Sequence, residues 1–356
     1  METTRHREGD TMATIKDVAA YCGVAVSTVS RVLNGHPDVS QATSDKVMAA
    51  VRELHYVPNH IARDLAATRP VKSIGLVVRG AENPFYIPII AAIGDACEAA
   101  GYTMVLRQIP SGADEAGEGA ELVQSKRLMG LILLGGRFDY SQEEGKAFGV
   151  PVVCCTFVNQ FGDLDQESYS SVSIDDANEA YRATHELVAN GHRHIAVLLD
   201  APDDRSISEL RYRGYRQALE DAGLPVQDDL VVRAPNYTMG AAYEGVRALI
   251  ARRPDVTAIF SVSDLMAIAA MKAIYDLGFD VPRDISLIAI DGLESTRYSI
   301  PVLTTFVQPQ RELGEESVRI LIDTIENGAE SKHVFVGTKL RRGGTLAPCR
   351  TADEAA

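Results

Sequence analysis

Over roughly the first sixty residues, apolar side chains recur at three- and four-residue spacing; after Lys72 they gather into short β-branched runs separated by amphipathic stretches. The pattern predicts a helical head, a short link, and a long alternation of strands and helices. In the head, Ile15, Val18 and Ala19 make one apolar face, Gly23 supplies a tight turn, and Val29, Val32 and Leu33 make a second face. Two short helices with such faces must pack on each other. A third helix is predicted over residues 41–54, after Ser40 as N-cap and before a turn at residues 55–58.

Beyond the link, strands are predicted at residues 74–78, 103–106, 131–134, 152–155, 195–199, 258–261 and 287–290. Helices at 89–100, 177–189, 210–222 and 266–277 are each followed closely by a glycine (Gly101, Gly191, Gly223, Gly278), as a left-handed C-terminal cap requires. This alternation predicts an α/β core with two doubly wound parallel sheets, whose strands are apolar on both faces because helices cover both. Ligands of such sheets bind outside the carboxyl ends of the strands. The residues there are Arg79 and Asn83, Arg137, Thr156 and Phe157, Asp200, Ser263 and Asp264, and Asp291. Loops are polar in any case, which accounts for about half of these positions without a ligand.

The head is too small to bury its second helix fully, so Val26, Ser27, Thr28, Ser30 and Arg31 project outward. Apolar and hydroxyl groups suit thymine methyls and phosphates, and Arg31 suits a guanine edge or a phosphate; a plain solvated helix is the alternative. The formal net charge of −14 looks unsuited to DNA until it is divided by region. Residues 12–72 carry seven basic and five acidic side chains, a balance of +2, so nearly all the acidity lies downstream.

A length of 356 residues with 46% hydrophobic content allows one small and one bilobed domain. No apolar run is long enough to cross a bilayer and METTRHREGD has no signal-peptide core, so a cytoplasmic protein is expected. Five cysteines without a Cys-x-x-Cys pair, and His192 and His194 without a ligand-spaced partner, suggest neither a disulfide framework nor a metal site. No phosphate loop, nucleophile elbow or metal-spaced set points to an enzyme, and no cofactor is expected. A transporter's solute-binding protein would share the bilobed core but has no use for the head.

Residues 14–65, with TVSRVLN at 28–34 and LHYVPNHIARDL at 54–65, resemble the head and hinge of the lactose-repressor (LacI/GalR) family of transcriptional regulators. KSIGLVVRGAENPFY at 72–86, ANGHRHIAVL at 189–198, FSVSDLMAIAAMKAI at 260–274 and IPVLTTFVQP at 300–309 resemble its type I periplasmic-binding-protein-like core. The resemblance covers nearly everything after Met12, which makes residues 1–11 a tail or a misassigned start. It implies a helix-turn-helix domain at 12–58, a hinge helix and linker at 59–72, and an effector-binding and dimerisation domain at 73–350. The N-lobe is expected at 73–173 and 302–328, the C-lobe at 174–301 and 329–348, with crossovers near 172–175, 298–303 and 327–333.

Carried over by position, Val26, Ser27 and Arg31 read bases in the major groove, Thr28, Ser30 and Asn34 touch phosphates, and Thr14 joins this DNA-binding set. Asn59, Ala62, Arg63 and Leu65 belong to the hinge helix, where Leu65 wedges between base pairs in the minor groove. Arg211 and Asp291 are the central effector contacts, with Arg79, Asn83, Phe85, Thr156, Phe157, Ser263 and Asp264 around them. Two departures stand out. Ala25 replaces the family's usual Ser, removing a helix cap and weakening DNA affinity, and Thr156 stands where many sugar-responsive relatives carry Asp. The implied partners are pseudo-palindromic double-stranded operator DNA, a second copy of the chain, and a small polar effector, a sugar or alternatively a purine or other metabolite. The C-terminal TLAPCRTADEAA lacks leucine heptads, so a dimer is expected without a tetramerisation helix.

Overall fold

The computed structural model describes residues 13–33, 38–56, 72–80, 82–200 and 205–349. The chain divides into two compact units, Met1–Val71 and Lys72–Ala356. In the first, α1 (Ile15–Cys22), α2 (Val26–Leu33) and α3 (Gln41–Glu53) close on a core of Val18, Ala19, Cys22, Val29, Val32, Val47 and Ala50. Thr14 and Asp17 form a capping box at the start of α1, and Ser40 caps α3 by accepting from the Thr43 N–H at 3.3 Å. Gly23 ends α1 at φ +62°, the left-handed conformation that its lack of Cβ permits.

The second unit opens with β1 (Ser73–Arg79), α4 (Ile87–Ala99), β2 (Thr103–Ile109), α5 (Glu115–Lys126), β3 (Gly130–Leu134), α6 (Gln142–Phe148), β4 (Val152–Cys155) and β5 (Ser170–Ser173). It continues with α7 (Asp176–Ala189), β6 (Ile195–Leu199), α8 (Ile207–Asp221), β7 (Val231–Arg233), α9 (Met239–Arg252), β8 (Ala258–Ser261), α10 (Asp264–Asp276), β9 (Ser286–Asp291) and β10 (Thr304–Val307). The chain then returns through α11 (Gln310–Asn327), β11 (His333–Phe335) and β12 (Lys339–Arg341). One sheet has the order β11-β5-β4-β3-β1-β2 and the other β12-β10-β9-β8-β6-β7. The observed pairings are parallel except that β12 runs antiparallel to β10. In each sheet the strand order reverses beside the first strand of its lobe, β1 or β6, the point at whose carboxyl ends doubly wound sheets bind their ligands.

Alternate residues of the first sheet feed two cores: Ile132, Leu134, Val153 and Cys155 face one side, Leu131, Leu133, Val152 and Cys154 the other. Cys22, Cys97, Cys154 and Cys155 are buried free thiols. No helix among the described residues is long and apolar enough to cross a membrane.

The sheets correct the expected lobe boundaries. Thr304–Val307 lies in the C-lobe sheet beside β9, so the second crossing falls at residues 308–309 and not at 298–303. His333–Phe335 pairs with β5 in the N-lobe, so the third falls at 336–338 and not at 327–333. Short strands at the sheet margins carry too few apolar residues to show in the pattern: β5 reads SSVS, β11 HVF and β12 KLR. The first crossing, after Ser173 and before Asp176, falls within the expected stretch.

Gly75 in β1 leaves room for the helix-side core: a Cβ there would lie 2.6 Å from Leu128 Cδ1 and 2.9 Å from Leu131 Cδ1. Gly75→Ala is expected to destabilise the core by about 1–3 kcal/mol through overpacking, read as a lowered melting temperature in a thermal scan.

Candidate functional site

On α2 the buried face is Val29 and Val32, while Val26, Ser27 and Arg31 are exposed and Thr28 and Ser30 are half-buried. Val26, at 40% exposed, is the kind of apolar side chain a thymine methyl can cover. The helix starts with the N–H groups of Thr28 and Val29 on the Ala25 carbonyl, at 2.9 and 3.2 Å, and Ala25 has no side-chain acceptor to add to them. Thr14 is exposed, but its hydroxyl donates to Asp17 Oδ2 at 2.7 Å, and these bonds hold the Asp17 carboxyl below its ordinary range. Thr14 therefore serves first as a helix cap. Asn34, Asn59, Ala62, Arg63 and Leu65 lie outside the described residues.

In the core, Asp291 lies beside the buried guanidinium of Arg211, and Asp264 is hydrogen-bonded to Asp291 in turn. Arg211, 2% exposed on α8, donates through Nε to Asp176 Oδ1 at 2.9 Å, and its NH2 nitrogen lies at the same distance from that oxygen. Its NH1 nitrogen donates to the Val262 carbonyl and lies 3.7 Å from Asp291 Oδ1. Asp291, the last residue of β9, accepts from Gln308 Nε2 at 3.0 Å and from the Asp264 N–H at 3.3 Å. Burial pushes the Asp291 carboxyl up, Arg211 pulls it down, and neighbouring Asp264 pushes it up again. Asp176 is likewise raised by burial and lowered by Arg211.

Close helix packing makes this cluster possible. A Cβ at Gly214 on α8 would overlap the Ala177 carbonyl of α7, so only glycine lets the two backbones approach so near. One turn earlier on the same helix, Arg211 meets Asp176 at the start of α7.

Two expected effector residues have strained backbones: Thr156, just past β4, has φ +76°, and Asp291 has φ +138°. Non-glycine residues hold such angles only where their surroundings enforce them, and these places cluster at ligand sites. Ser263 caps α10 by accepting from the Met266 N–H at 3.3 Å. Asp264 has no exposed surface, and both its oxygens accept from protein groups. Both side chains are thus engaged by protein groups.

On the N-lobe, Asn83 spends its side-chain oxygen on the Phe85 N–H at 3.0 Å, and Phe85 is buried with its ring 5.7 Å from that of Tyr86. Arg79 Nε is buried without a hydrogen-bond partner. The Tyr86 hydroxyl feels Asp291 and Arg211 of one lobe and Glu115 and Arg79 of the other, with burial the main cause of its raised pKa. Phe157, 1% exposed, packs with Phe138 at 5.5 Å and Tyr140 at 6.0 Å, in a cluster that Ile207 and Leu210 of α8 complete from the C-lobe. Arg213 lies 5.2 Å over the Phe161 ring, and Arg205 reaches Asp139 at 3.5 Å. The lobes thus meet through apolar and ionic contacts beside Arg211.

Sequence reasoning missed Asp176, Gln308, Tyr86 and Glu115. Asp176 follows Asp175 and Glu115 follows Asp114, so each reads as one more acid at a helix start; in fact Asp175 and Asp114 are the caps, and their neighbours are buried. Glu115 accepts from the Tyr140 hydroxyl and from the Arg137 N–H at 3.3 Å, and burial raises it to about 7. His192 is engaged with Thr257 Oγ1 and the Ala347 carbonyl, both at 3.0 Å, and His194 with Asp255 at 2.8 Å. No group of metal-ligating side chains occurs among the described residues.

Arg211→Ala leaves two buried carboxylates without their cation and is expected to destabilise the second unit by about 3–5 kcal/mol, measured by denaturant melts. Glu115 holds its proton to about pH 7 when folded but only to about 4.5 when unfolded. Between those values the folded state binds more protons, so stability falls as pH rises. Glu115→Gln is expected to flatten that decline in melts at successive pH values, and an unchanged slope would assign it to other groups.

Residues 14–59 match the bacterial regulatory proteins of the lacI family, and residues 184–346 match a periplasmic binding protein-like domain. The HTH-type transcriptional regulator MalR of Clostridium butyricum is 40% identical over 328 residues, 92% of this chain and 97% of that protein. Among solved structures, the transcriptional regulator CelR in complex with cellobiose is similar with a TM-score of 0.70 and 30% identity, over 94% of this chain and 100% of that one. The lac repressor dimer bound to operator and the anti-inducer ONPF is similar with a TM-score of 0.76 and 26% identity, over 95% and 100%. With a head and core of this kind and relatives that match along nearly its whole length, the chain belongs to the LacI family of DNA-binding transcriptional regulators and is not an enzyme.

Proposed function

We propose that two copies of this chain hold a pseudo-palindromic operator as a cytoplasmic repressor, and that a sugar binding between the lobes of the core changes that grip. Val26, Ser27 and Arg31 read bases, while Thr28, Ser30 and Asn34 hold phosphates. Asn59, Ala62, Arg63 and Leu65 form the hinge in the minor groove. The lac repressor structure, a dimer on its operator, and the CelR complex with cellobiose support the partners named here.

The observation that carries the sugar reading is the unused hydrogen-bonding capacity of Arg211 and Asp291. A guanidinium has five N–H donors. In Arg211 three face Asp176 and Val262, which leaves one N–H on each terminal nitrogen. A carboxylate has about four acceptor sites, and in Asp291 Gln308 and the Asp264 N–H fill only two of them. Adjacent spare donors and acceptors, fixed in place and 3.7 Å apart, fit neighbouring hydroxyls on one ring. Tyr86 and Phe85 supply aromatic surface on the opposite lobe. Arg79 brings a further donor, Nε, that no protein acceptor fills.

Because the chain crosses between lobes three times, at residues 174–175, 308–309 and 336–338, a ligand that draws the lobes together rotates one on the other. The resulting coupling between effector and operator is of the order of 1–3 kcal/mol.

Operator fragments from the chain's own genome, titrated with the full chain in a gel-shift assay, are expected to bind tightly, and Arg31→Ala to weaken them by about 10-fold. A thermal-shift screen of glucose, galactose, maltose, cellobiose, lactose, hypoxanthine and guanine is expected to single out a sugar, whose addition then changes operator affinity. Stabilisation by a purine alone would replace the sugar reading, and failure to retain any palindromic fragment would remove the DNA reading.

A further inference from the structure

Asp264 stands one layer behind the effector residues and is engaged on every side. Its Oδ2 accepts from the Leu293 N–H at 2.8 Å and lies 3.0 Å from the Thr296 hydroxyl, and its Oδ1 accepts from the Thr305 hydroxyl at 2.5 Å. Its own N–H donates to Asp291 Oδ2 at 3.3 Å. Arg341 of β12 closes the group by donating to Thr296 and lying 4.0 Å from Asp264 Oδ2.

Apart from Arg341, these partners share one property: all lie between Asp291, which ends β9, and Thr305, the second residue of β10. That segment opens with Asp291 at φ +138° and Gly292 at φ +79°. A non-glycine residue at such an angle costs about 1–3 kcal/mol and keeps it only when held from several points. A carboxylate suits the task because it only accepts, taking the Leu293 N–H on one oxygen and the Thr305 hydroxyl on the other, whereas an amide would reverse the Thr305 bond or lose the Leu293 one.

We infer that Asp264 is a positioning residue, which does not touch the effector but pins the β9–β10 segment at Leu293, Thr296 and Thr305 so that the Asp291 carboxylate faces the ligand. The inference rests on the reading of Asp291 as an effector contact and goes beyond it by assigning what sets its orientation. Thr305 and Thr296 then belong to the effector response, although neither reaches the cleft.

The test is a double-mutant cycle on the full chain, with glucose, galactose, maltose, cellobiose and lactose as probes in isothermal titration. Asp264→Asn is expected to weaken sugar binding by about 10-fold or more, and adding it to Asp291→Asn to cause no further loss, since groups acting through one contact are not additive. Operator affinity of Asp264→Asn without sugar is expected to stay within about 2-fold of the wild type, a readout that general destabilisation would move. Thr305→Ser, which keeps the hydroxyl, is expected to bind sugar normally, and Thr305→Val to bind it poorly; this pair carries the test if Asp264→Asn fails to fold.

Loss on Asp291→Asn with full affinity in Asp264→Asn and Thr305→Val overturns the positioning role alone. Additive losses overturn it too, because they make Asp264 a contact in its own right. Unchanged sugar binding in Asp291→Asn, or no binding of any probe by the wild type, overturns the reading of the site and this inference with it.

Discussion

A guanidinium removed from water has to be answered by fixed opposite charge, and the centre of this core is arranged around that requirement. Arg211 is answered by Asp176 from the neighbouring helix, by the Val262 carbonyl at the end of β8, and at longer range by Asp291 at the end of β9. Buried ion pairs of this kind add little net stability, because desolvation offsets most of the attraction. They supply instead a set of hydrogen-bonding directions that does not rearrange. The contact between α7 and α8 at Gly214 is therefore a condition of the site as much as of the fold.

From that centre the functional geometry extends outward in layers. Asp264, Thr296, Thr305 and Arg341 hold the segment behind Asp291, while Ile207 and Leu210 carry α8 onto the aromatic cluster of the other lobe. Backbone strain at Thr156 and Asp291 falls at the carboxyl ends of β4 and β9, one in each sheet, the ends at which doubly wound sheets bind their ligands. The head solves a separate problem with its own small core, which leaves most of α2 free to present side chains outward.

Much of this was legible in the amino-acid pattern, for reasons that differ from residue to residue. Strands β3, β4, β6, β8 and β9 are covered on both faces, so their apolar runs stand out; β5, β11 and β12 are short and lie toward a margin of the sheet, and their mixed composition looks like loop. The lobe of Thr304–Val307 and that of His333–Phe335 were misassigned, which moved the expected second and third crossings by several residues. Arg211 and Asp291 were recognisable through family resemblance, whereas Asp176 was hidden because a carboxylate at a helix start reads as an ordinary cap. The protein partners of Asp264 were not legible, since a sequence does not say whether a carboxylate beside a strand end faces ligand or protein.

The way the chain closes its two sheets also bears on how it is made. The N-lobe sheet lacks its border beside β5 until residues 333–335 exist, and the C-lobe sheet lacks its antiparallel border until residues 339–341 exist. The helix that covers β3, β4 and β5, α11, spans residues 310–327, so it too follows β1 to β10 in chain order. Domains commonly fold as units during synthesis, the N-terminal ones first. Neither lobe is a continuous stretch of chain, so a chain cut before these residues leaves both sheets without a border and β3, β4 and β5 without the helix that covers them.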